Sequence, residues 1–142
     1  MTKADIAAKN FEAGYNCAQS VLLAFCEDLC IDEEEALKIS CGFGGGMGGQ
    51  GETCGAVSGA YMIIGLKYGR VKLEDKQAKE KTYLLIREFA EKFKKKNRYI
   101  SCRELLGMDL LSEEKTVLSE RKNKVCPQMV RDAAEIVEEF LE

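Results

Sequence analysis

Ser40-Cys41-Gly42-Phe43-Gly44-Gly45-Gly46-Met47-Gly48-Gly49-Gln50-Gly51-Glu52-Thr53-Cys54-Gly55-Ala56-Val57-Ser58-Gly59-Ala60 is the stretch on which the fold class turns. Nine of the chain's 13 glycines lie between Gly42 and Gly59. Gly44-x-Gly46-x-x-Gly49 and Gly46-x-Gly48-x-x-Gly51 both match the spacing of a dinucleotide-binding turn. That spacing carries meaning only behind a buried strand that opens a βαβ unit. The preceding residues read instead as a helix from Asp32, with Glu35 at the capping-box position, fading at Ser40. A phosphate-binding P-loop is excluded too, because Glu52-Thr53 stands where Lys-Ser/Thr is required. The stretch is therefore a shaped loop between two helices, and no nucleotide is expected. Consecutive backbone N–H groups ahead of a helix N-terminus suit an anion, a thiolate or a cluster sulfide. Gly44, Gly45, Gly46, Gly48 and Gly55 are the candidate cofactor-contacting positions, and Glu52 and Tyr15 the nearest groups for handling a proton.

Cys54 to Tyr68 follows as a helix stopped by Gly69. It is apolar nearly all round (Ala56, Val57, Ala60, Tyr61, Met62, Ile63, Ile64, Leu66), the pattern of a central buried helix. Gly55 and Gly59, four residues apart, leave a stripe on which a neighbouring helix can come close. Upstream, Ala4 to Ala13 reads as a helix with Ile6, Ala7, Phe11 and Ala13 near one face and Gly14 as its stop. A second starts at the cap Asn16, with Gln19 as box partner and Ala18, Val21, Leu22, Phe25 and Leu29 inward. Downstream, Leu73 to Asn97 is long and amphipathic, with Tyr83, Leu84, Ile86, Phe89, Ala90 and Phe93 inward. Lys92, Lys94, Lys95, Lys96 and Arg98 suit the negative C-terminal pole of that helix. Ser101 caps a short helix that ends at Gly107, Ser112 to Lys122 forms another, and the last begins at Cys126 with Pro127 in its first turn. Its inward residues are Met129, Val130, Ala133, Ala134, Ile136, Val137 and Phe140. Strand-like alternation is missing throughout. The expectation is an all-α, single-domain bundle of about six to eight helices over residues 1–142.

With 46% hydrophobic and 32% charged residues the composition is that of a globular domain. A net charge of −3 gives no general attraction for nucleic acid or an anionic membrane. The N-terminus lacks a signal-peptide pattern, and the longest apolar run is shorter than the roughly 20 residues a membrane span needs. The expected location is cytoplasmic, without membrane insertion; a homo-oligomer is left open.

Seven cysteines and no histidine are unusual for a reducing compartment. An odd number cannot all pair within the chain, and the missing histidine removes Cys-His catalytic pairs, mixed Cys/His zinc sites and His-ligated haem. Cys17, Cys54, Cys102 and Cys126 each fall in the first turn of an expected helix, where unpaired N–H groups and the helix dipole favour a thiolate. None belongs to a C-x-x-C pair, so any joint site has to be assembled by packing. Such a site could ligate an iron–sulfur cluster or a zinc ion, or two of its thiols could cycle between dithiol and disulfide. Cys26, Cys30 and Cys41 lie toward helix ends and read as small hydrophobes or incidental thiols.

Gly14-Tyr15-Asn16-Cys17-Ala18-Gln19, Gly42-Phe43-Gly44-Gly45-Gly46-Met47-Gly48, Glu52-Thr53-Cys54-Gly55-Ala56-Val57-Ser58-Gly59-Ala60, Gly65-Leu66-Lys67-Tyr68-Gly69, Cys102-Arg103-Glu104-Leu105-Leu106-Gly107 and Cys126 together resemble the C_GCAxxG_C_C family of small redox-active proteins. The resemblance spans nearly the whole chain. It implies that the family's four signature cysteines fall on Cys17, Cys54, Cys102 and Cys126, as catalytic or metal-binding residues, and its C-G-A-x-x-G on Cys54 to Gly59. Related domains occur beside haem-binding segments of larger redox proteins, which implies iron–sulfur chemistry; this chain has no C-x-x-C-H for a haem of its own. Family genes often lie near transporter genes, which implies a transport-linked partner beside an unidentified redox partner. Three expectations follow: a redox protein with a metal or iron–sulfur site, a metal-free dithiol/disulfide oxidoreductase, or a non-catalytic module that binds an anion or metal for a partner.

Overall fold

The computed structural model describes residues 1–142. It is helical throughout: α1 Lys3–Ala13, α2 Cys17–Ala24, α3 Cys26–Leu29, α4 Glu33–Cys41, α5 Gly44–Met47, α6 Gly55–Tyr68, α7 Lys76–Asn97, α8 Cys102–Leu106 and α9 Lys115–Phe140. No helix is long and apolar enough to cross a membrane. The short α5 is a helix only by its hydrogen bonds, because Gly45 and Gly46 have left-handed backbone angles. The caps read from sequence set most of the other ends. Asn16 and Gln19 close a reciprocal box at the start of α2. Asp32 and Ser101 accept from the N–H groups of Glu35 and Glu104 at the starts of α4 and α8. Gly14 and Gly107 end α1 and α8 in left-handed conformations.

α6 lies at the centre, packed against α2, α7 and α9, with α1 wedged between α2 and α9 and α4 outside α2. Residues 55–60 of α6 are buried without interruption, as are Ile63 and Ile64. The small-residue stripe does bring a helix in: a Cβ on Gly59 would stand 2.8 Å from the Ala18 carbonyl oxygen. The buried apolar side chains form one contiguous cluster that includes Phe25, Phe89 and Phe93.

Several expectations change. α9 is one helix of 26 residues that joins Lys115–Lys122 of the expected Ser112–Lys122 segment to the final helix, so Cys126 lies mid-helix and Pro127 is inside it. A proline there lacks the N–H that would bond to the Asn123 carbonyl, an arrangement a long, well-packed helix tolerates. The second helix breaks at Phe25, so Cys26 opens α3 and Cys30 closes it with a φ of 56°. α7 starts at Lys76 behind the cap Asp75 rather than at Leu73, and Tyr83 and Leu84 are exposed rather than inward. Ala13 and Leu66 are exposed as well. The basic end of α7 does more than meet a helix pole: Lys92 pairs with Glu139 (3.0 Å) and Lys96 with Glu135 (3.4 Å), joining α7 to α9.

Candidate functional site: four cysteines on one cavity

Cys54 and Cys102, remote in sequence, are set side by side by the backbone. Residues 50–54 run antiparallel to residues 100–103 around a single bridge between Thr53 and Ser101. The Cys54 N–H donates to the Ile100 carbonyl (2.7 Å), the Cys102 N–H to the Glu52 carbonyl (2.6 Å), and the Arg103 N–H to the Gly51 carbonyl (3.0 Å). Side chains tighten this clasp: the Ser101 hydroxyl donates to the Gly51 carbonyl, and the Arg103 guanidinium to the Gln50 carbonyl at 2.9 Å. The glycine loop folds onto the clasp. Gly46 has a φ of 68°, and a Cβ there would stand 2.6 Å from the Cys102 Cβ and from the Glu52 backbone nitrogen. Only glycine satisfies both demands.

Cys17 arrives at the first position of α2, behind Asn16, whose side-chain amide also donates to the Cys41 carbonyl at 2.9 Å. That bond ties the start of α2 to the entry of the glycine loop, and Gly44 packs directly beneath the Asn16 side chain. A Cβ on Gly55 would come within 3.1 Å of the Cys17 Cβ, so the first glycine of α6 lets Cys17 approach Cys54. Cys126 completes the group from the middle of α9.

Cys17, Cys54, Cys102 and Cys126 all line one cavity of about 270 Å³. All four are buried, with 4–7% of their surface exposed. Gly45, Gly55 and Tyr15 also line it, whereas Gly44, Gly46 and Gly48 act behind it and Glu52 is exposed away from it. Cys26 is buried elsewhere, its thiol directed at the Leu22 carbonyl (3.5 Å). Cys30 and Cys41 are exposed. No cysteine is in a disulfide.

The electrostatics reverse the expectation from helix position. Burial pushes the Cys54 thiol up to about 12, although the Ala56 and Val57 N–H groups at the α6 N-terminus pull it down. Burial likewise raises Cys102 to about 11, with the neighbouring Cys126 charge adding to it and Lys122 opposing it. Desolvation of a thiolate thus outweighs the helix terminus at both positions. Cys126, far from any helix end, is the sulfur whose ionisation is favoured. The Cys17 thiol that donates to it is the main cause, with a smaller contribution from the Lys122 ammonium and burial working against both. Cys17 is correspondingly held well above the ordinary thiol value, first by Cys126 and then by burial. Ionisation is therefore favoured at Cys126 and opposed at Cys17, Cys54 and Cys102.

Lys122 escapes a reading from sequence. Its signal, a lysine four residues before Cys126, is legible only once both are known to share a helix. The donor set of four sulfurs without a carboxylate suits a soft metal. In the present arrangement, however, no three of the chain's Cys, Asp and Glu side chains form a group that could hold a metal ion.

Neither the curated proteins nor the solved structures compared with the chain include a match. The family model described as "Putative redox-active protein (C_GCAxxG_C_C)" matches residues 15–140, a span that contains all four cavity cysteines. The chain belongs to the C_GCAxxG_C_C family.

Proposed function

We propose that this protein works through Cys17 and Cys126 as a dithiol/disulfide redox pair. What carries the reading is that these two sulfurs line one buried cavity near enough to shift each other's ionisation, Cys126 downward and Cys17 upward. Thiol–disulfide exchange needs that division of labour, a thiolate to attack and a second thiol to resolve. The Cys126 sulfur attacks one sulfur of a disulfide R–S–S–R, the S–S bond breaks, and the first RS⁻ leaves. The Cys17 sulfur then attacks Cys126 in the mixed disulfide and releases the second RS⁻. Two electrons pass from the cysteine pair to R–S–S–R; the Cys17 proton ends on one RS⁻, and the proton Cys126 gave to solvent on ionising returns to the other, giving two RSH. Cys54 and Cys102, protonated and buried, complete the sulfur-lined wall.

Reduced protein, treated anaerobically with an uncharged small disulfide and mapped by mass spectrometry, is expected to yield a Cys17–Cys126 linked peptide. Cys17→Ser is expected to stop at a mixed disulfide on Cys126, and Cys126→Ser to form neither species. Protein that stays fully reduced, or that links other cysteines at random, would sink the reading.

A second reading is a zinc ion or iron–sulfur cluster, favoured by four sulfurs lining one carboxylate-free cavity. Cys17, Cys54, Cys102 and Cys126 would hold it, after closing together from their present positions. A cluster would supply one-electron transfer, and a zinc ion a structural tie. Stoichiometric iron with visible absorbance after anaerobic preparation, or stoichiometric zinc, would move the assignment there.

A further inference from the structure

We infer that the cysteine cavity selects a small anionic molecule, with the Lys122 ammonium as its counter-charge. The cavity is lined by 16 residues, of which one is a cation and none is a carboxylate. This occurs in a chain where acidic residues outnumber basic ones, 24 to 21. Lys122 is half-buried, yet it has neither a salt bridge nor a hydrogen bond to any protein group, unlike Lys3, Lys92 and Lys96, which pair with carboxylates. Its ammonium lies over the glycine loop: a Cβ on Gly45 would stand 3.8 Å from Nζ, so the absent side chain leaves the charge room at the cavity. A partly desolvated ammonium without a carboxylate partner is unfavourable by itself. It gains from a negative charge brought into the cavity, and most when Cys126 sits in a disulfide and offers it no thiolate.

Size narrows the ligand further. At about 270 Å³ the cavity is smaller than the ~300–1,000 Å³ of sites for drug-sized ligands. The sulfurs are too deeply buried for a cysteine on the surface of a folded partner to reach them. Given the thiol-redox reading on which this rests, the substrates are small disulfides R–S–S–R whose R group carries a carboxylate or similar anion. Their exchange follows the balanced sequence above, and each RSH product keeps its negative group.

Charge selection can be read without any redox step by using two alkylating agents of nearly equal size, anionic iodoacetate and neutral iodoacetamide. Peptide mapping gives the ratio of their rates at each cysteine, and the exposed Cys30 and Cys41 serve as references in the same molecule. The iodoacetate-to-iodoacetamide ratio is expected to be about tenfold higher at Cys126 than at the references, the size of one charge-assisted contact. Lys122→Met should abolish that excess and Lys122→Arg should keep it. A ratio at Cys126 equal to the references, or one unchanged in Lys122→Met, overturns the inference. Using the ratio removes any general change of thiol reactivity in the variants. A protein that keeps its anion preference but forms no Cys17–Cys126 disulfide supports the anion site and overturns the redox reading beneath it.

Discussion

Cys126 was picked out in the sequence for a reason the structure replaces. Pro127 invites reading it as the first turn of a helix, and a thiolate there would owe its stability to the helix dipole. In the folded chain the residue is mid-helix, and its charge is favoured by the Cys17 thiol and by Lys122. Cys17 and Cys54, which do sit at helix starts, are pushed the other way: Cys17 first by its neighbour Cys126 and then by burial, and Cys54 because its buried thiolate would lose more solvation than the Ala56 and Val57 N–H groups return. Removing the donor tests this account. In Cys17→Ala the pH midpoint for Cys126 alkylation by iodoacetamide should rise by about one unit, the loss of one hydrogen bond to a charged sulfur. A midpoint that stays put would assign the lowering to Lys122 alone. Which cysteines line one cavity was legible in the residues. Which of them ionises was not, since ionisation depends on burial and on neighbours contributed by other helices.

At the scale of elements, whatever a local signal decides was readable. Asn16-x-x-Gln19, Asp32, Ser101, Gly14 and Gly107 all end helices where their side chains or backbone freedom place them. What non-local packing decides was not. The apolar run through Phe25 hides a break between α2 and α3, and Pro127, read as a helix start, hides the continuity of α9, whose first half was expected as a separate helix over Ser112–Lys122. The glycine loop belongs to both kinds. Its irregular backbone follows from composition, but its job, to lie against the strap that joins Cys54 to Cys102, appears only once residues 50–54 and 100–103 pair. Gly46→Ala should therefore cost roughly 2–3 kcal/mol, from a left-handed φ together with contacts of 2.6–2.7 Å to the Cys102 Cβ and the Glu52 backbone. That corresponds to a fall of about 1 M in the urea midpoint. Gly49→Ala is the control: its φ of 80° is also left-handed but the space around it is open, so its cost should be ~1 kcal/mol. Equal losses in the two variants would mean that backbone angle alone, and not the fit against Cys102, fixes the loop.

Across the whole molecule the site and the core are the same object. Cys17, Cys54, Cys102 and Cys126 belong to the single buried cluster that holds α2, α6, α8 and α9 together. Chemistry at these sulfurs is therefore coupled to global stability, and alkaline pH exposes the coupling. Cys54 is raised from an ordinary 9.0 to about 12 in the folded chain, and Cys102 to about 11. For a group whose folded value is the higher one, the folded state holds its proton more tightly than the unfolded state does. Its contribution is complete below about pH 9 and is lost as pH rises from there through 11 and 12. Buried Cys54 alone can remove up to ~1.4 kcal/mol per pH unit in that window. Cys102, more open to solvent, removes less, and Tyr61, also raised by burial, acts in the same direction. Against a typical total of ~5–15 kcal/mol this is a large share. Urea midpoints of reduced protein should stay level up to about pH 9 and then fall, and Cys54→Ala, though less stable at neutral pH, should fall less steeply. Parallel curves for the two proteins above pH 9 would show that Cys54 ionises in the folded state without resistance, contradicting its burial in the cavity wall.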